Sequence, residues 1–143
     1  MKNMEISEAQ NMEQLVDTIS RNKVNVVEFF SETCAPCHQL EKVVKQSVIP
    51  KLKDPSCVGF VKIDIAKFQD LAENFGVLSV PTVMFYFCGN RVIFDSDSKK
   101  LDRLQGMIPN IDAVILNFVN TLSEMPSVGE SFSSCESCDK KCD

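Results

Sequence analysis

An α/β fold, with a central mixed sheet of four to five strands flanked by helices on both faces, is the class this sequence predicts, and three observations predict it. Runs of β-branched and aromatic residues alternate with segments of helical period along the chain. Two runs, Val24 to Phe30 and Val58 to Ile65, are apolar enough to be buried on both faces, as strands inside a helix-covered sheet are. A third pair of runs is joined by the short turn Cys88-Gly89-Asn90, the signal of an antiparallel hairpin. The resulting order, β-α-β-α-β-β-α, mixes parallel and antiparallel neighbours.

Each element has its own warrant. From about Glu8 to Arg21, Met12, Leu15, Val16 and Ile19 recur at helical spacing. Ser7 with Gln10 suggests a capping box for this helix, with Asn11 a rival start. A further strand is expected at Met4 to Ile6. After Pro36, a helix carrying Leu40, Val43, Val44 and Val48 runs until Pro50 stops it. A short helix is expected from Gln69 to Asn74, closed by Gly76. Strands are expected at Pro81 to Phe87 and Arg91 to Phe94. A last helix, about Asn110 to Leu122, presents Ile111, Val114, Ile115, Phe118, Val119 and Leu122 on one side.

The 143 residues fit one domain, residues 1–124, with a Pro-, Ser- and Cys-rich tail over 125–143 read as mobile. A hydrophobic fraction of 44% with 24% charged residues is that of a globular chain. The net charge of −5 and the absence of any basic run longer than a pair argue against nucleic acid. The polar, acidic start and the lack of a long apolar run argue against export and membrane insertion, so the expectation is a cytoplasmic monomer. Seven cysteines then call for separate accounts.

Cys34-Ala35-Pro36-Cys37 lies where a buried strand gives way to a helix. A helix N-terminus carries unpaired N–H groups and about half a positive charge, which stabilise a thiolate. Cys34, outside the helix end, gains most; Cys37, one turn in, is more shielded. Pro36 suits the first turn and stiffens the loop. Cys34 therefore reads as the nucleophile toward a disulfide and Cys37 as the thiol that resolves the mixed disulfide. The same string with His38 is formally a c-type haem attachment motif, and a pair of cysteines also admits zinc or an iron–sulfur cluster. The preceding buried strand and the missing further ligands weigh for the dithiol, with no metal.

Val27-Glu28-Phe29-Phe30, Cys34-Ala35-Pro36-Cys37, Lys62-Ile63-Asp64 and Gly76-Val77-Leu78-Ser79-Val80-Pro81-Thr82 follow one another in the order and approximate spacing of the thioredoxin superfamily, which the chain resembles over about residues 4 to 122. The resemblance implies a thioredoxin fold and a protein-disulfide oxidoreductase. It implies a cis Val80-Pro81 bond facing the cysteines, with Thr33, Ala35, Pro36, Val80, Pro81 and Gly106 forming the substrate groove. It implies that Glu28 is buried behind the motif and accepts the proton of Cys37, with Lys62 tuning it. The redox group is then the Cys34–Cys37 disulfide, with no bound cofactor. The implied partners are disulfide-containing proteins and a thioredoxin reductase-like donor drawing on NADPH. The chain departs from the family pattern in having Thr33 where Trp is usual, Ala35 for Gly, Glu28 for the Asp of thioredoxins, His38 for Lys or Arg, and no mid-helix proline. Two other functions fit the same motif: an adaptor that binds proteins through the groove without turnover, and a disulfide isomerase.

Cys57 and Cys88 read as small hydrophobes or turn residues. Cys135, Cys138 and Cys142 admit three readings: a second dithiol, part of a metal site, or an inert solvated tail.

Overall fold

The computed structural model of the chain describes residues 6–126. Its first described strand, β1 (Ile6–Glu8), takes in Ile6 of the expected Met4 to Ile6 strand, Met4 and Glu5 lying outside the described residues, and pairs in parallel with β3 (Val58–Asp64). Ser7 therefore belongs to a strand, with its hydroxyl on the Phe60 carbonyl at 3.3 Å, and cannot cap a helix. Asn11 caps α1 (Met12–Arg21) instead: its side chain accepts the Gln14 N–H at 2.8 Å, and the Gln14 side chain accepts the Gln10 N–H at 2.8 Å.

The sheet is built around β2 (Val24–Phe30), in which all seven residues are buried. β2 runs parallel to β3 and antiparallel to β4 (Thr82–Phe87), giving the path β1-β3-β2-β4-β5 with β5 at Asn90–Arg91. Because side chains alternate along a strand, each strand feeds two separate cores. Val24 and Val26 join Phe60, Val83 and Phe85 on the face covered by α2 (Ala35–Val43) and α4 (Ile111–Glu124). Val27 and Phe29 join Val61, Ile63 and Met84 on the face covered by α1 and α3 (Gln69–Asn74). The mixed sheet with helices on both faces is as expected from sequence, but among the described residues it has six strands where four to five are expected, because two-residue strands add to β4.

Two regions differ from expectation. The helix after Pro36 is not uniform to Pro50: beyond α2 it widens into a π-helical turn at Val44–Val48 and tightens into a 3₁₀ turn at Ile49–Lys51. In the wider turn Val44 and Val48, four residues apart, are both buried. Nor does Arg91 to Phe94 form one strand. Cys88 (φ 51°) and Gly89 (φ 81°) make the left-handed turn into β5 (Asn90–Arg91), which ends after two residues. A second hairpin then pairs β6 (Phe94–Ser96) with β7 (Lys99–Leu101) through left-handed Asp97 and Ser98. β8 (Leu104–Gln105) returns to pair with β4 opposite Thr82 and Val83.

α4 packs Ile111, Ile115, Val119 and Leu122 against the sheet, and its Phe118 ring stacks on Phe85 at 4.7 Å and meets Phe94 edge-on at 4.9 Å. Among the described residues no helix is long and apolar enough to cross a membrane. The tail cysteines 135, 138 and 142 lie outside the described residues. Phe85, fully buried in β4 beneath α4, anchors this face. Phe85→Ala is expected to lower the unfolding free energy by about 3–5 kcal/mol, read from urea denaturation of the oxidised chain.

Candidate active site

β2 delivers the chain to the end of the sheet, and a tight turn reverses it into α2: the Cys34 N–H donates to the Ser31 carbonyl at 3.1 Å. Cys34 is the N-cap of α2 and Pro36 stands in its first turn, where a missing N–H costs nothing. The Cys37 N–H donates to Cys34 Sγ at 3.2 Å, so one of the orphan donors of the helix end is satisfied by the sulfur. Cys34 and Cys37 form a disulfide, their Cα atoms 5.2 Å apart. The two are not equivalent: Cys34 is part-exposed, while Cys37 is 2% exposed. Thr33, Ala35 and Pro36 are exposed around them.

The opposite wall comes from the loop before β4. The Val80-Pro81 bond is cis, and the Val80 carbonyl oxygen stands 3.8 Å from Cys34 Sγ. The Gly106 N–H donates to the Pro81 carbonyl at 2.8 Å, with Gly106 in a left-handed conformation (φ 77°) that favours glycine. Arg103 steadies the same loop, donating to the Gly76 carbonyl at 3.0 Å while its guanidinium holds Asp102. Thus Cys34, the Val80-Pro81 pair and Gly106, from three separate stretches of the sequence, come together at one end of the sheet.

Two features of this end were not found from sequence. Leu78, in the loop leading to Pro81, is 93% exposed. The other is Glu41 in α2, whose Oε1 accepts from Lys62 Nζ at 2.7 Å and whose Oε2 accepts from Lys45 at 3.2 Å. Lys62 also lies over the Phe30 ring at 4.9 Å. Glu28 stands between Lys62 on β3 and Val83 on β4 in register, on the sheet face that α2 covers, and is 6% exposed. Its pKa is raised from 4.5 to about 8. Burial is the main cause, the negative charge of Glu41 adds to it, and Lys62 opposes it. Burial also works to raise Glu41, but hydrogen bonds from Lys62 and Lys45 outweigh that and hold it below its ordinary range.

His38 Nε2 lies 2.6 Å from the Glu32 carbonyl oxygen, latching the loop before the helix. Cys57 and Cys88 are both buried, Cys88 in the turn after β4. Among the described residues no three His, Cys, Asp or Glu side chains are grouped to hold a metal ion.

The Thioredoxin family model matches residues 3–110. The chain belongs to the thioredoxin family. It is 30% identical to a thioredoxin of Mycoplasmoides gallisepticum over 99 residues, which are 69% of this chain and 86% of that one. It is 31% identical to a thioredoxin-like protein of Fusarium culmorum over 80 residues, covering 56% of this chain and 65%, a little under two thirds, of the relative. The fold is that of a mutant thioredoxin from Halobacterium salinarum, with a TM-score of 0.65 at 23% identity over 87% of this chain and 98% of the other. In this thioredoxin-family chain the Cys34–Cys37 disulfide is a redox-active pair, and the chemistry it carries is that of a thiol–disulfide oxidoreductase.

Glu28 makes stability depend on pH. Below about 4.5 both the folded and unfolded chains hold its proton, and burial is not penalised. As pH rises toward 8 the unfolded chain releases that proton while the folded chain keeps it, so stability falls. Glu28→Gln is expected to leave stability at pH 4 unchanged and to gain on the natural chain by roughly 1.4 kcal/mol per pH unit across this window. Urea midpoints of the two oxidised chains at pH 4, 6 and 8 measure the difference.

Proposed function

We propose that this chain reduces disulfides in other proteins, in a cytoplasmic setting, through Cys34 as nucleophile and Cys37 as resolving thiol. The observation that carries the reading is the position of Cys34 Sγ: part-exposed at the end of α2, receiving the Cys37 N–H at 3.2 Å, and facing the Val80 carbonyl at 3.8 Å. A sulfur so placed is stabilised as a thiolate by the helix end. The neighbouring extended backbone at Val80 offers an incoming peptide a strand to pair with.

The reaction proceeds in two exchanges. The Cys34 thiolate attacks one sulfur of the target disulfide; a Cys34–target bond forms, the target bond breaks, and the second target sulfur leaves as a thiolate that takes up a proton. Cys37 then loses its proton to the Glu28 carboxylate and attacks Cys34 Sγ. The Cys34–Cys37 disulfide forms and the Cys34–target bond breaks, releasing the target sulfur first attacked as a thiolate that takes up a proton. Two electrons pass from the dithiol to the target. A raised pKa near 8 makes Glu28 a base matched to a thiol, which is what proton transfer at this step requires.

Thr33, Ala35, Pro36, Val80, Pro81 and Gly106 form the walls of the groove in this reading, and exposed Leu78 gives a target an apolar contact where Thr33 supplies little. Electrons return from a reductase using NADPH. Oxidant or isomerase action is separated from reduction by the potential of the couple: about −270 mV is that of a reductant, and about −120 to −180 mV that of an oxidant or isomerase.

Cys37→Ser is expected to accumulate a stable mixed disulfide with a protein substrate such as insulin, visible by mass on a non-reducing gel. Cys34→Ser accumulates none. Trapping by both variants alike, or by neither, refutes the assigned roles.

A further inference from the structure

Lys62 is the register neighbour of Glu28, yet its ammonium is paired elsewhere. Nζ is 2.7 Å from Glu41 Oε1 and rests over the Phe30 ring, and Glu41 is in turn bonded to Lys45. The Lys62 and Glu41 side chains are 21% and 26% exposed, so the pair is sheltered from much of the solvent that weakens surface ion pairs. One residue of α2 thus decides where the nearest cation of the buried carboxyl sits.

We propose that Glu41 is a positioning residue for the resolving step: by anchoring Lys62 it keeps that cation from pairing with Glu28, and so leaves Glu28 able to take and return the Cys37 proton. The inference rests on the assignment of Glu28 as the proton acceptor. An ion pair between Lys62 and Glu28 would stabilise the carboxylate and weaken it as a base. Anchored on Glu41, Lys62 offers less of that stabilisation, and the Glu41 charge itself disfavours a second negative charge nearby.

The groups facing Glu28 are few. From β3 comes Lys62, and from α2 comes Glu41, about one turn beyond Cys37. From β4 the register neighbour is the apolar Val83, and α4 presents Ile111, Ile115 and Val119 to this core. Removing Glu41 therefore acts on Glu28 in two ways of the same sign: a negative charge is lost, and Lys62 is released toward the carboxyl. If the titration midpoint fell by one pH unit from 8, the ionised fraction of Glu28 at pH 7 would rise about fivefold.

The test is a carboxyl-carbon NMR titration of the oxidised full chain, the Glu28 resonance being identified by its loss in Glu28→Gln, together with the pH profile of mixed-disulfide resolution. Glu41→Gln is expected to move the Glu28 midpoint and the kinetic inflection downward from about 8. Glu41→Gln with Lys62→Gln is expected to move both back up, which a loss of mere helix stability would not do. A Glu28 midpoint unmoved by Glu41→Gln overturns the proposal while leaving Glu28 as the base. A moved midpoint with an unmoved kinetic inflection overturns the role of Glu41 in resolution. A resolution profile that is the same in the natural chain and in Glu28→Gln overturns the assignment of Glu28, and this inference with it.

Discussion

Strand β2 is paired along both edges and covered on both faces, so whatever side chain stands in it has no solvent to turn to. Six of its seven positions are met by apolar residues or by Asn25, whose amide is tied to the Ile19 and Asn22 carbonyls. The remaining one is a carboxyl. Desolvation of that group costs stability at neutral pH, and the sheet tolerates it because the other strands and two helices bury a large apolar core around it. The same burial makes Glu28 basic. The site is thus not an addition to the surface of the fold: its buried carboxyl belongs to the central strand, and its sulfurs to the helix which that strand feeds.

The cysteine pair and the carboxyl are coupled through α2. The first turn of the helix holds Cys34 and Cys37, the next carries Glu41, and the helix as a whole lies on the sheet face where Glu28 and Lys62 point. A rigid element therefore carries the reacting thiols at one end and the anchor for Lys62 further along. The widened turn at Val44–Val48 comes just after this region, and Lys45 in it reaches back to Glu41. How the helix is wound beyond its cysteine end bears on the charges near Glu28.

Much of this was legible in the sequence. The apolar runs at 24–30, 58–65 and 81–87 could hardly be other than strands, and Cys-x-x-Cys with Pro36 marked the helix start. The second hairpin was not legible: Phe94-Asp95-Ser96 and Lys99-Lys100-Leu101 are short and polar, and the turn between them uses Asp97 and Ser98 where a glycine would have announced it. The π-helical turn keeps nearly the apolar spacing of an α-helix and leaves no distinct pattern. In the sequence nothing sets Glu41 apart from the other charged residues of the helix after Pro36. Its contact with Lys62, 21 residues away, exists only once α2 is laid across β3.

Leu78 has a consequence for how long partners stay. In the proposed reaction, once the Cys34–Cys37 bond has reformed, nothing covalent holds a reduced target, and departure depends on the remaining contacts. A leucine this exposed can be covered by an arriving chain without first breaking anything in this protein. Burying such a side chain is worth about 1.5–3 kcal/mol, which slows dissociation by roughly 10- to 150-fold. That is enough to hold an extended segment through an encounter, and small enough to let it go.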